Sequence, residues 1–106
     1  MVARGEVYLI NLDPTIGSEV QKTRPCVIVS PDEMNQYIRT VIIAPMTTKL
    51  RSYKTRIKID FKGKTGQVML DQLRTVDKQR LVRKQGQLTS GEMKKVLALL
   101  QEMFAC

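Results

Sequence analysis

The sequence predicts a single β-rich α+β domain finished by one C-terminal helix. Short β-type runs separated by Gly, Pro and polar clusters fill most of the chain. Residues 55–61 alternate apolar and charged side chains, and residues 89–104 switch to helical spacing. With 106 residues, 42% of them hydrophobic, the chain can close one core, so one domain is expected over residues 1–106. Such a core is marginal for a monomer, and the two cysteines, Cys26 and Cys106, provide no disulfide framework. A homodimer is expected.

Residues 6–12 form the first strand, ended by Asp13-Pro14, because proline donates no ladder hydrogen bond and biases its predecessor toward extended geometry. The loop that follows contains Gly17-Ser18-Glu19 and runs to Lys22-Thr23-Arg24, where Pro25 opens a second strand over residues 26–30. Residues 40–46 are a fully apolar strand. Over residues 55–61, Thr55, Ile57, Ile59 and Phe61 share one face and Arg56, Lys58 and Asp60 the other, a strand with one buried and one charged side. Residues 62–66 then form a turn, and residues 67–70 a strand that runs into Asp71-Gln72-Leu73-Arg74-Thr75. Short strands within residues 81–88 complete the sheet. In the helix over residues 89–104, Thr89 and Glu92 make a capping box, and Met93, Val96, Leu97, Leu100, Met103 and Phe104 form the face that packs on the sheet. A compact, strongly bent sheet with a terminal helix predicts a small SH3-like barrel with helical insertions.

Charge is unevenly distributed. The net charge is +8, and residues 1–50 carry five basic and five acidic side chains, against thirteen and five in residues 51–106. Lys49, Arg51, Lys54, Arg56, Lys58, Lys62 and Lys64 are interrupted by the single acid Asp60. Such a run is either a solvated basic face or a surface for a polyanion. No stretch approaches the ~20 apolar residues of a membrane span, and the N-terminus begins with a polar turn and a strand pattern rather than a signal peptide. No membrane association is expected. Neither cysteine has metal-ligand or CxxC spacing, so a reducing cytoplasm fits best, with no metal and no cofactor. Histidine is absent, which removes the commonest proton carrier at neutral pH and the commonest metal ligand.

Hydrolysis of RNA is a chemistry open to such a chain, because the 2′-hydroxyl beside each phosphate is a built-in nucleophile. The protein must help remove the 2′-proton, stabilise charge on the phosphorane oxygens and protonate the departing 5′-oxygen. Ser18, Glu19, Lys22, Thr23 and Arg24 gather in one loop, and the strand ending at Met46 delivers Thr47 and Thr48. Each has a plainer reading beside it. Arg24 could be a surface residue at a strand start, Thr47 and Thr48 turn hydroxyls, Glu19 a solvated acid and Gly17 a turn residue with positive φ. Asp71 and Arg74 could form a structural ion pair.

Taken together, RGEVYLINLDPTIGSEVQKTRPCVIVS (residues 4–30), TVIIAPMTT (residues 40–48) and VMLDQLRTVDKQRL (residues 68–81), followed by the terminal helix, resemble the MazF/PemK family over nearly the whole chain. The resemblance implies a CcdB/MazF-type SH3-like barrel, a homodimer, and a toxin of a type II toxin–antitoxin system that cleaves single-stranded RNA at short motifs. It also implies a cognate antitoxin with an acidic, disordered tail. Carried over residue by residue, the catalytic arginine of the family's RP block falls on Arg24 and its catalytic threonine or serine on Thr47. Glu19 matches the acidic residue of the GSE block that includes Gly17 and Ser18, near the RNA or the partner. Asp71, Gln72 and Arg74 match a block that some members use for substrate contact or catalysis. One branch places an arginine two residues before the aspartate. Here that position is Met69, so Arg24 with Thr47 is the expected catalytic pair.

The implied mechanism is metal-independent. Arg24 and Thr47 stabilise the phosphate during attack by the 2′-hydroxyl, giving a 2′,3′-cyclic phosphate and a 5′-hydroxyl. Specificity is expected from residues 48–54, with Tyr53 stacking an unpaired base and Thr48, Arg51 and Lys54 contacting the strand, although the plainer reading of Tyr53, a partly buried ring, outweighs this one. Two other functions suit the same fold: a CcdB-like gyrase poison without nuclease activity, and a non-catalytic RNA-binding barrel.

Overall fold

The computed structural model describes all 106 residues. Seven strands, β1 (Glu6–Asn11), β2 (Thr23–Ile28), β3 (Thr40–Thr47), β4 (Arg56–Phe61), β5 (Lys64–Met69), β6 (Arg74–Asp77) and β7 (Leu81–Gln87), are joined by two helices, α1 (Asp32–Tyr37) and α2 (Ser90–Met103). The sheet order is β4-β5-β3-β2-β1-β7, with β6 also on β3, and every pairing is antiparallel.

The sheet curls at β3. Its first half, Thr40 to Ile43, pairs with β6, and its last two residues, Met46 and Thr47, pair with β5. Pro45 falls in the gap between the two ladders and pairs only toward Cys26 of β2, so its missing N–H interrupts neither. This change of partner along one long strand curls the sheet into a half-barrel, the form that the expected small SH3-like barrel takes here.

Two apolar clusters explain why β2 and β3 are apolar on both faces. Val27, Val29, Ala44 and Met46 point into one cluster with Ile59, Val68, Met93 and Val96, while Cys26, Ile28, Val41 and Ile43 point into a second with Ile10, Leu12 and Val76. The helix α2 covers the first cluster, and its start is fixed by Thr89 and Glu92, whose capping box has both hydrogen bonds in place. Phe104 departs from the expected packing face: it is the C-cap and stands 73% exposed.

Most element ends fall within one or two residues of the sequence expectation, and three larger differences bear on the site. The strand β2 begins at Thr23 rather than at position 26; β3 reaches only Cys26–Ile28, so a proline at position 25 costs no hydrogen bond on that side. The turn after β4 is two residues, Lys62-Gly63, both with positive φ (52° and 76°), and β5 therefore begins at Lys64. Such a turn follows the right-handed strand twist. Finally, β7 is one strand with two bulges: its pairing with β1 skips Val82 and Gln85. The short helix α1 is held by its buried Asn35, which accepts from the Ser30 hydroxyl (2.5 Å) and donates to the Ser30 carbonyl (3.0 Å).

Candidate active site

A cavity of about 420 Å³ opens where the N-terminal end of β2, the C-terminal end of β3, the β4–β5 hairpin and the β7 bulge meet. Its lining includes Arg24, Thr47, Thr48, Lys62, Lys64 and Gln85 over a floor that contains Pro25, Met46, Ile59 and Phe61. Three cations and no carboxylate line it.

Local structure places each group. Arg24 is half-buried, and its Nε donates to the Gln21 carbonyl at 3.1 Å, which leaves the outer guanidinium nitrogens without a protein partner. Thr47 ends β3 opposite Gln67 of β5, and its hydroxyl oxygen accepts the Lys49 N–H at 3.1 Å. The hydroxyl proton remains available to a ligand. Gly66 permits this arrangement, since a Cβ there would come within 2.6 Å of the Thr47 carbonyl oxygen. Gln67 is nearly buried and grips the Arg51 main chain from both sides: its Oε1 accepts the Arg51 N–H (3.0 Å) and its Nε2 donates to the Arg51 carbonyl (2.8 Å).

Cys26, beside Arg24 in sequence, is not a nucleophile. Burial pushes its thiol up to about 12, against the lowering pull of the Arg24 and Arg74 charges, so it stays protonated at neutral pH.

Of the residues singled out in the sequence, Arg24, Thr47 and Thr48 meet at this cavity. Glu19, Gln72 and Arg74 gather around a separate recess of about 70 Å³ and brace the loop over residues 12–22. Gln72 accepts the Val20 N–H (3.4 Å), Arg74 donates to the Leu12 carbonyl, and Glu19 accepts the Ile16 N–H (2.7 Å). Gly17, with φ 60°, and Ser18 are exposed in that loop and line neither recess. Arg51, Tyr53 and Lys54 are exposed outside the cavity lining.

Asp71 does not pair with Arg74. Its partner is Arg56, whose Nε and one Nη donate to the two carboxylate oxygens at 3.2 and 3.3 Å, with the Thr55 hydroxyl donating at 3.1 Å. Arg56 lies on the strand next to the segment that carries Asp71 and also stacks on Tyr53, 4.8 Å from the ring centroid. Partial burial pulls the Asp71 carboxyl upward, but the hydrogen bonds and charge of Arg56, with Thr55, hold it below its ordinary range. Tyr53 is thus an exposed ring over a guanidinium rather than a partly buried one.

The site contains four polar residues that sequence reasoning did not place in it: Lys62, Lys64, Gln67 and Gln85. The signal for the lysines was the Lys62-Gly63 pair as a two-residue turn. Gln85 reaches the cavity from a bulge, which leaves no mark in hydrophobic alternation. No group of three or more His, Cys, Asp or Glu side chains is arranged to hold a metal ion, and no helix is long and apolar enough to cross a membrane.

Residues 3–104 match the family model described as PemK-like, MazF-like toxin of type II toxin–antitoxin system. The chain belongs to that family. Among solved structures, MazF from Deinococcus radiodurans superposes with a TM-score of 0.85 at 21% identity, over 96% of this chain and 94% of that one. An endoribonuclease from a mycobacterial species, solved in complex with its cognate antitoxin, gives 0.82 at 26% identity over 96% and 93%. A mycobacterial endoribonuclease gives 0.79 at 26% identity over 95% and 88%. The PemK/MazF-like chain therefore has the MazF fold along essentially its whole length.

Proposed function

We propose that this chain is a sequence-specific, metal-independent endoribonuclease toxin acting on single-stranded RNA in the cytoplasm. The observation that carries this is the convergence of Arg24 and the Thr47 hydroxyl in one cavity that holds three cations and no acid. A phosphodiester there receives charge-assisted hydrogen bonds from Arg24, whose outer nitrogens are free, and a further one from Thr47. As the 2′-oxygen attacks, negative charge grows on the phosphorane oxygens, and fixed donors of this kind stabilise it more than they stabilise the ground state. The 2′-oxygen–phosphorus bond forms as the bond to the 5′-oxygen breaks; the 2′-proton passes to solvent water and the 5′-oxygen takes up a proton in return. The products are a 2′,3′-cyclic phosphate and a 5′-hydroxyl. A guanidinium keeps its charge and has no lone pair to accept a proton, so Arg24 serves as stabiliser and hydrogen-bond donor rather than as the base.

The apolar floor of Pro25, Met46 and Phe61 gives a base or sugar somewhere to lie. The partner is an antitoxin with an acidic, disordered segment, which matches the +8 charge of this chain, and the active form is a homodimer. The 2′-hydroxyl supplies the direct test. Once a cut site is mapped, replacing that one nucleotide with its 2′-deoxy counterpart should abolish cleavage there; continued cutting of the deoxy substrate would rule out the mechanism.

A further inference from the structure

Arg24 and Thr47 suffice for one phosphate, yet the cavity carries two more cations. Lys62 and Lys64 reach it from the β4–β5 hairpin, where the two-residue turn sets them on either side of Gly63. Neither has a carboxylate within ion-pair distance: the ion pairs of the molecule are Arg56 with Asp71 and Lys84 with Glu6. Asp60, the acid of the same hairpin, accepts the Thr65 hydroxyl at 2.8 Å and does not line the cavity. Three cations around one recess with no acid in its lining give it a positive potential that favours an anion. At about 420 Å³ the recess falls within the range that accommodates a ligand much larger than a single phosphate group.

We propose that Lys62 and Lys64 form a second phosphate subsite, so that the scissile phosphate sits on Arg24 and Thr47 while a neighbouring phosphate of the same strand sits on the hairpin. This rests on the ribonuclease function proposed above. The two lysines then fix the register of the strand and contribute to binding without taking part in bond breaking. Substrates whose only phosphate is the scissile one leave the hairpin empty and are cut slowly.

The test uses a short RNA carrying the mapped cut motif, in which each phosphate flanking the cut is replaced in turn by an uncharged methylphosphonate. With the wild-type chain, one replacement should lower kcat/KM about tenfold, as expected for loss of one charged hydrogen-bonded contact. In a Lys62→Gln/Lys64→Gln variant the same replacement should cost nothing further, and the slope of log kcat/KM against log salt should be shallower by about 0.7 per lost phosphate contact. A Lys94→Gln variant, altered on the exposed side of α2, should keep the wild-type penalty. Each penalty is a ratio within one protein, so a change in folded fraction cancels. An equal penalty in wild type and the double lysine variant, or no penalty at any flanking phosphate, overturns the subsite while leaving the nuclease intact. RNA left uncut by the wild type removes the nuclease function and the subsite with it.

Discussion

A Cβ on Gly66 would stand 2.6 Å from the carbonyl oxygen of Thr47, closer than a real side chain can come to backbone. The hairpin β4–β5 can close over the end of β3 only because residue 66 has no side chain. Thr47 owes its position to that closure. Replacing Gly66 with Ala should therefore move Thr47 and lower kcat/KM by ten-fold or more, with about 1–3 kcal/mol of stability lost to overpacking. Thr47→Val, which deletes only the hydroxyl, should lose activity with little loss of stability, and Thr47→Ser should restore much of it. Cleavage rates beside urea midpoints check this; a Gly66→Ala chain normal in both would contradict it.

The two cysteines should behave as opposites. Burial holds the Cys26 thiol near 12, and Cys106 is exposed. Because the thiolate is the reactive form, iodoacetamide near neutral pH should label Cys106 and leave Cys26 untouched until denaturant is added. Mass spectrometry of the labelled chain reads this directly.

Gln67 holds the Arg51 main chain by two hydrogen bonds, one to its N–H and one to its carbonyl. Truncation to Ala should release the main chain of residues 48–54, whose basic side chains are already exposed, into the extended form that a protease binds. Trypsin should cleave after Arg51 and Lys54 several-fold faster in Gln67→Ala than in the wild type, reflecting the cost of local opening. Equal cleavage rates would mean that the loop is held by something else.

The Arg56–Asp71 pair should show in the acid limb of stability. A carboxyl whose folded pKa lies below its ordinary value of 3.8 contributes stability that is present above that value. The contribution disappears as pH falls through the lower folded pKa. The wild type should therefore exceed Asp71→Asn in urea midpoint at pH values above the ordinary carboxyl value of 3.8, and the gap should close as pH falls through the lower folded pKa. The pair is partly solvent-exposed, so the gap should be small.

Much of this was legible from the sequence because it depends on local chemistry. The capping box of Thr89 and Glu92, the alternation from Ile57 to Phe61 and the apolar run into Thr47 each define an element from neighbouring residues alone. What sequence could not convey was which elements meet. Asp71 and Arg74 are close in sequence, but the hydrogen-bonded neighbour of the Asp71 segment is the strand bearing Arg56. Lys62 and Lys64 lie in a run of basic residues whose members look alike until the two-residue turn separates the cavity-facing ones from Lys58. Glu19 sits near Arg24 in sequence, but the loop over residues 12–22 carries it to the smaller recess. Gln85 needed a bulge.

The most direct measurement is to incubate the purified chain and its Arg24→Ala variant with a long mixed-sequence RNA in excess EDTA and to map every new end. The expected result is cutting by the wild type at one short motif, with 5′-hydroxyl and 2′,3′-cyclic phosphate ends, and a loss of about 10²–10³ in rate for the variant. RNA left intact by a folded, toxic wild type would contradict the ribonuclease function and favour a toxin that acts through protein contacts alone.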